Sequence, residues 1–309
     1  MTILRYHGFN NWNVKKEPGE DLNKEFTFGF ELEVTCSNVT SSSLTAEELA
    51  TKLEETFPDL FVYEHDSSIG NGVEIISQPM TWKWFLNNQY IFIDLLNICL
   101  DSGFSSHNGN KCGLHVHIGR QALRGFDNDN DRITESKVIT NMNFILERYQ
   151  KEIFKFSRRT TSSYIQWASN RTELIDIDGH AFIDKDKIRV INQQNRTRYT
   201  ALNLANNKTV EYRFLRGTLR YETFFISMNL IKNMVEQSRI SNHSVTFKQL
   251  LELGLEDTML DYLNEYCEKR NLNLNGQECN TVLFLENVKS TKRNDFFDRI
   301  ALANAILDE

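Results

Sequence analysis

From Phe26 to Thr35 the chain alternates without a break. Phe26, Phe28, Phe30, Leu32 and Val34 fall on one side, and Thr27, Gly29, Glu31, Glu33 and Thr35 on the other. A period of two specifies a β-strand, and a side this apolar must be buried against a second layer. The register is therefore fixed: a slip of one residue would drive Glu31 and Glu33 into the core and bring the phenylalanines out. Gly29, on the glutamate side, marks a point where a ligand or another backbone segment approaches closely.

The same pattern recurs in shorter runs. Phe61 to His65 and Val73 to Gln78 read as strands joined by the turn-rich segment Asp66 to Gly72. Leu114, Val116 and Ile118 alternate with His115 and His117 between Gly113 and Gly119, and Tyr199–Leu204 with Thr209–Arg216 form a hairpin. Between them lie helices. Thr45 and Glu48 make a capping box ahead of Leu49, Leu53 and Phe57, and Thr246 with Gln249 makes another. Trp82–Ser102 is expected to be one long amphipathic helix ended by Gly103, and Thr134–Ser157 a second, with Val138, Met142, Ile145, Tyr149 and Ile153 on one side. From Tyr221 onward the pattern is helical. Hairpins among helices predict an α+β fold with a largely antiparallel sheet, flanking helices and a helical C-terminal region. With 40% hydrophobic residues and only 3 prolines in 309 positions, no flexible linker divides the chain. The expected division is a unit over residues 1–235, with an N-terminal extension over 1–24, followed by a helical subdomain over 236–309.

The chemistry collects on the polar sides of four strands, as Glu31/Glu33, Glu74, His115/His117 and Glu211/Arg213. Any one pair taken alone describes a solvated strand face or a cross-strand salt bridge. Repeated carboxylates with imidazoles, backed each time by buried apolar partners, describe a hard-cation site suited to Mg²⁺ or Mn²⁺; zinc would favour more His or Cys. Arg213 and Arg216 cannot ligate a cation but can hold a phosphoryl group, so the combination points to phosphoryl chemistry from a nucleotide.

Several classes drop out. A formal charge of -7 opposes a broad nucleic-acid surface. No apolar run is long enough to span a membrane, and Met1–Asn13 has no apolar core of a signal peptide, so a cytoplasmic protein is expected. The five scattered cysteines read as reduced thiols, with Cys112 a small packed residue. Asp127–Asp131 opens like a calcium loop, but Arg132 stands where glycine is needed and Val138 where glutamate is needed. Neither a P-loop nor a nucleophile elbow occurs.

The motifs Phe28–Val34, His65–Ile69 leading to Gly72–Pro79, Cys112–Gly119, Arg198–Leu204 and Thr209–Arg216 together resemble the amidoligase family. These are carboxylate–amine ligases related to glutamine synthetase and glutamate–cysteine ligase, found in bacteria and phages. The resemblance covers roughly residues 26 to 235. It implies a glutamine-synthetase-like curved antiparallel sheet holding ATP and divalent ions. It also implies that ATP phosphorylates a carboxylate and an amine displaces the phosphate, giving an amide or isopeptide. On this resemblance Glu31, Glu33, Glu74, His117 and Glu211 are metal ligands, with His115 the alternative to His117 and otherwise a contact to phosphate. Arg213 and Arg216 hold the transferred phosphoryl group, Asp66 and Ser67 position substrate, and Arg198 contacts ATP or the acceptor carboxylate. The basic, poorly periodic stretch from Arg158 to Arg198 reads as a solvated loop or as a lid.

The expected function is thus an ATP- and Mg²⁺-dependent (or Mn²⁺-dependent) ligase acting on a small-molecule or peptide carboxylate and an amine. A metal-dependent hydrolase using the same face without nucleotide, and a non-catalytic interaction protein retaining the fold, are the competing classes. Assembly state is open.

Overall fold

The central strand is β1 (Thr27–Thr35), and its neighbours place everything that follows. The computed structural model describes residues 3–4, 11–36, 43–66, 69–107, 112–123, 131–160, 168, 200–240, 243–274 and 282–283. With β2 (Phe61–Glu64), β3 (Gly72–Ser77), β4 (Met80–Thr81), β5 (Gly113–Gly119), β6 (Leu202–Asn203) and β7 (Thr209–Arg216), β1 forms a 7-stranded sheet. Its order is β2-β3-β1-β5-β7-β6, with β4 pairing the start of β1, and every one of these pairings is antiparallel. A separate pair, β8 (His243–Ser244) and β9 (Val282–Leu283), is also antiparallel. The fold is α+β, as the alternation predicts.

One face of the sheet is the core. Phe28, Phe30 and Leu32 of β1 are buried beside Val73 and Ile75 of β3 and Leu114, Val116 and Ile118 of β5. Helices cover that face: α1 (Ala46–Thr56), α2 (Trp82–Asn87), α3 (Gln89–Asp101), and the central α7 (Tyr221–Ser238). Phe30 meets Phe224 of α7 edge-on at 5.1 Å between centroids and Phe92 of α3 at 6.0 Å. Such aromatic geometry adds to the area buried.

Both capping boxes form. The Thr45 hydroxyl accepts from the Glu48 amide at 3.2 Å while the Glu48 carboxylate accepts from the Thr45 amide at 2.8 Å. Thr246 and Gln249 do the same at 3.0 and 2.8 Å, opening α8 (Phe247–Glu252).

Two expected long helices are each divided. Trp82–Ser102 breaks at Asn88, which sits at φ −119, ψ 28 between α2 and α3. The Asn88 side-chain amide donates to the Trp84 carbonyl at 2.8 Å, a local bond that competes with the helical ladder. Thr134–Ser157 is divided at Tyr149 (φ −107, ψ 29) into α5 (Asp131–Arg148) and α6 (Gln150–Ser157). Tyr149 is buried there, its hydroxyl donating to the Val245 carbonyl. Between β5 and α5 lies the short α4 (Arg120–Leu123).

The C-terminal helices are bolted to the centre through buried amides. Asn229 and Asn233 of α7 donate to the carbonyls of Leu250, Leu251 and Leu253 at the end of α8, at 2.8 to 3.2 Å. The last described helix, α9 (Asp257–Glu268), contributes Leu263 and Tyr266 to the same core cluster. Helix α7 runs through position 235, so both sides of that position share one core. Among the described residues no helix is long and apolar enough to cross a membrane, and Cys36, Cys99, Cys112 and Cys267 are buried free thiols.

Candidate metal and phosphate face

The sheet's other face carries the polar residues, and the register aligns them in rows. Glu64 stands opposite Glu74, and Glu74 opposite Glu33. One step along β1, Glu31 stands opposite His115, and beyond it His117 stands opposite Glu211, which stands opposite Asn203. Antiparallel partners point to the same side, so strands distant in sequence deliver these groups to a single surface.

Their contacts are close. Glu31 bridges both imidazoles: its Oε1 lies 2.8 Å from His117 Nε2 and its Oε2 3.2 Å from His115 Nδ1. His115 Nδ1 also lies 3.6 Å from Glu211 Oε1. His117 Nδ1 is paired with the Thr209 hydroxyl at 3.2 Å, which orients the ring so that Nε2 faces the carboxylates. The Asn203 amide donates to Glu211 Oε2 at 2.8 Å, Arg213 ion-pairs with Glu211 Oε1, and the Gly113 amide donates to Glu33 Oε2 at 2.5 Å.

Among the described residues three groups of donor atoms, each within 4.8 Å of one another, could hold an ion: Glu31/His117/Glu211, Glu31/Glu74/His115, and Glu33/Asp66/Glu74. They adjoin, since Glu31 and Glu74 each belong to two. The two histidines, alternatives in the sequence, fall into different groups. Asp66, which the resemblance assigns to substrate positioning, lies near enough to Glu33 and Glu74 to share an ion with them.

The electrostatics are those of an anionic cluster short of a cation. Burial, with the carboxylates of Glu31, Glu33 and Asp66 close by, pushes Glu74 up to about 10. Its Oε2 is buried with no hydrogen-bond partner among the described residues. Burial lowers His117, but Glu31 and Glu211 outweigh it and raise the imidazole to about 9. Glu31 is the reverse: burial raises it, yet His117 and His115 together hold it well below the usual carboxylate range. Burial alone would lower Arg213, and Glu211 and Glu31 raise it.

These shifts fix a pH dependence. Glu74 (ordinary value 4.5) and His117 (ordinary value 6.5) both bind protons more tightly when folded. The stability each confers is full below its unfolded value and is lost as pH rises toward its folded one. Between pH 6.5 and about 9 the two act in the same sense, so the metal-free protein should melt at progressively lower temperature. Coordination requires both protons to leave, so stabilisation by Mg²⁺ should grow over the same window. Thermal melts in EDTA and in Mg²⁺ check this; a flat profile in EDTA contradicts it.

A β-bulge brings Arg216 to this face. Leu114 pairs with Leu215 but Val116 pairs with Tyr212, so Arg213 and Phe214 together oppose His115. Strict alternation from Arg213 would send Arg216 to the core side; the extra residue returns it to the polar side, opposite Gly113. The carbonyls at the bulge are taken by Arg159, whose guanidinium donates to Phe214 O at 3.2 Å and Arg213 O at 3.0 Å.

Glycine matters at Gly113, where a Cβ would stand 2.8 Å from both an Arg159 nitrogen and His115 Nε2. At Gly29 the nearest atom to a Cβ would be Ser77 Oγ at 3.4 Å, ordinary contact, so no described backbone segment requires the glycine there.

Glu64 and Arg159 are additions to the residues marked in the sequence. The alternation of Phe61 and Tyr63 with Val62 and Glu64 carries the signal for Glu64, but only the pairing with Glu74 gives it meaning. Ser67 and Arg198 lie outside the described residues, as do most of 158–198 and the Asp127–Asn130 segment.

No family model matches the chain, and no curated protein matches it. A solved structure described as the crystal structure of a novel glutamine synthase homolog aligns over 79% of this chain, at 13% identity and a TM-score of 0.34. The aligned part is 62% of that structure's own chain, less than two thirds of it. A likeness at that TM-score carries no weight for fold or activity.

Proposed function

We propose that the chain is a carboxylate–amine ligase of the amidoligase type, using ATP with Mg²⁺ or Mn²⁺. The observation that carries this reading is the set of three adjoining carboxylate-rich donor groups beside two arginines. The donors fit a hard divalent cation: each group offers at least two carboxylates and no more than one imidazole, and Glu74 keeps a buried oxygen without a partner. Glu31, Glu33, Glu74, His115, His117, Glu211 and Asp66 would hold the ions, with Glu64 beside them. When bound, such ions neutralise phosphate charge and align the reacting carboxylate.

The chain's own groups do the rest. Arg213 and Arg216 each retain a buried Nε without a partner among the described residues, suited to the oxygens of a transferring phosphoryl group. A substrate carboxylate oxygen forms a bond to the γ-phosphorus as the bond to ADP breaks; an amine then attacks the acyl phosphate carbon and inorganic phosphate leaves. Ser67 and Arg198 are assigned to substrate and ATP on the resemblance alone. Residues 1–235 would form the catalytic unit, with acceptor choice set by 158–198 and the helical end over 236–309. The arginines weigh against a nucleotide-independent hydrolase. We place the working protein in the cytoplasm, acting on an amino acid, a peptide or another small amine.

The test is ADP release with Mg²⁺ across amino acids, polyamines and peptides. Release that needs both a carboxylate and an amine supports the ligase; ATP-independent cleavage of any of these compounds supports the hydrolase.

A further inference from the structure

A second site is built at the other end of Arg216. A cavity of 660 Å³ lies between α3, the turn after β7, and α9, lined by Leu219, Arg220, Tyr262, Tyr266 and their neighbours. Its acids are already matched. Glu222 pairs with Arg220 at 3.2 Å, and Glu265 pairs with Lys269. Arg158 and Arg270, which also line it, face no carboxylate among the described residues, although Arg270 Nη1 donates to the Tyr266 carbonyl at 2.5 Å.

Arg216 stands directly beside them, its Nη1 donating to the Arg158 carbonyl at 3.3 Å. Among the described residues no carboxylate pairs with Arg158, Arg216 or Arg270. The Nε atoms of Arg216 and Arg270 are buried and lack a hydrogen-bond partner among the described residues. Burial lowers both Arg216 and Arg270, and the nearby Arg158 charge lowers each further, so Arg158 repels both. Arg158 closes α6 at φ 60, a left-handed conformation that Gly or Asn accepts more readily. A cationic side chain stands there against the backbone preference. The tyrosine hydroxyls are engaged elsewhere, Tyr262 with Thr223 at 2.7 Å and Tyr266 with Phe156 O at 2.7 Å, and one face of each ring carries an arginine, Arg220 over Tyr262 at 4.6 Å and Arg270 over Tyr266 at 3.2 Å.

We propose that this cavity binds the oxyanion, carboxylate or phosphate, of a small organic molecule. Arg158 and Arg270 hold the anion, with Arg216 behind them and outside the lining, and the ligand's apolar or aromatic body lies along Leu219, Tyr262 and Tyr266. The site adjoins the ligase face at Arg216 but takes its ligand on Arg158 and Arg270, and its test uses neither metal nor nucleotide.

Phenyl phosphate and phenylacetate are titrated calorimetrically into the full chain in EDTA, for the wild type, Arg158→Gln, Arg270→Gln and Arg270→Lys. Saturable binding is expected for at least one probe, weakened ~10-fold or more by each glutamine variant, as loss of a charged hydrogen-bonding group implies. Arg270→Lys should bind more tightly than Arg270→Gln. Binding of the phosphate alone assigns the site to phosphates, and of phenylacetate alone to carboxylates. No saturable binding by either probe, or equal binding by wild type and both glutamine variants, overturns the proposal. Should Arg270→Gln fail to fold, Arg158→Gln, on the exposed side of the stack where Arg270 covers Tyr266 at 3.2 Å, decides it.

Discussion

Glu31→Gln should leave a folded chain that has lost both its response to divalent metal and its turnover. Glu31 belongs to two of the three donor groups and contacts both imidazoles, at 2.8 and 3.2 Å. The two histidines hold its carboxyl well below the usual range against the effect of burial, so it is anionic at any working pH. Glutamine keeps the shape and hydrogen-bonding reach but removes the charge. Loss of a group that merely orients a metal ligand costs ~10–100-fold, so removal of a shared ligand should exceed ~100-fold in ADP release. The shift in melting temperature on adding Mg²⁺ should vanish with it. Turnover within tenfold of wild type would remove Glu31 from the chemistry, and a non-catalytic protein would show no turnover to lose.

Glu74→Gln should separate function from stability in the opposite direction. Glu74 is buried among Glu31, Glu33 and Asp66, and keeping it there without a cation forces its carboxyl up to about 10. An amide carries no such burden. The metal-free variant should therefore melt higher than wild type at pH 8, by several degrees if the relief is ~1–2 kcal/mol, since each kcal/mol moves a domain of this size by ~2–4 °C. Metal-dependent stabilisation and turnover should fall at least ~10-fold, because Glu74 too belongs to two donor groups. A gain in stability with a loss of function is the mark of a residue kept for its site. A variant less stable than wild type in EDTA would instead make Glu74 a structural group.

Much of this face is legible in the sequence because period two is a strong code. β1, β3 and β5 each pair a buried apolar side with chemistry on the other, so Glu31, Glu33, Glu74 and the two histidines declare their shared surface before any pairing is known. What alternation cannot carry is an interruption of itself. Arg216 reaches the polar side only because Arg213 and Phe214 together oppose His115, and nothing in Thr209–Arg216 announces the bulge. Glu64 sits in a strand of 4 residues, where the alternation places it on the polar side but only Glu74 opposite gives it a role. Arg159 follows the left-handed residue Arg158 that ends α6, and its place against the Phe214 carbonyl is a tertiary event. The helix breaks at Asn88 and Tyr149 have the same origin: one residue leaves helical geometry while the apolar stripe continues in phase.

The partition of charge across the molecule follows from that architecture. The polar face concentrates carboxylates that repel in the absence of a cation, while the cavity beyond Arg216 concentrates arginines that repel in the absence of an anion. A chain of net charge -7 thus carries two opposite deficits side by side. An acidic protein can bind a polyanion such as ATP when cations accompany it.

Calorimetric titration of ATP into the wild-type chain at pH 8, with and without Mg²⁺, tests the central claim most directly. Saturable binding that requires Mg²⁺ is the predicted result. No binding of Mg·ATP, at a protein concentration where the chain is folded, would contradict the ligase reading outright.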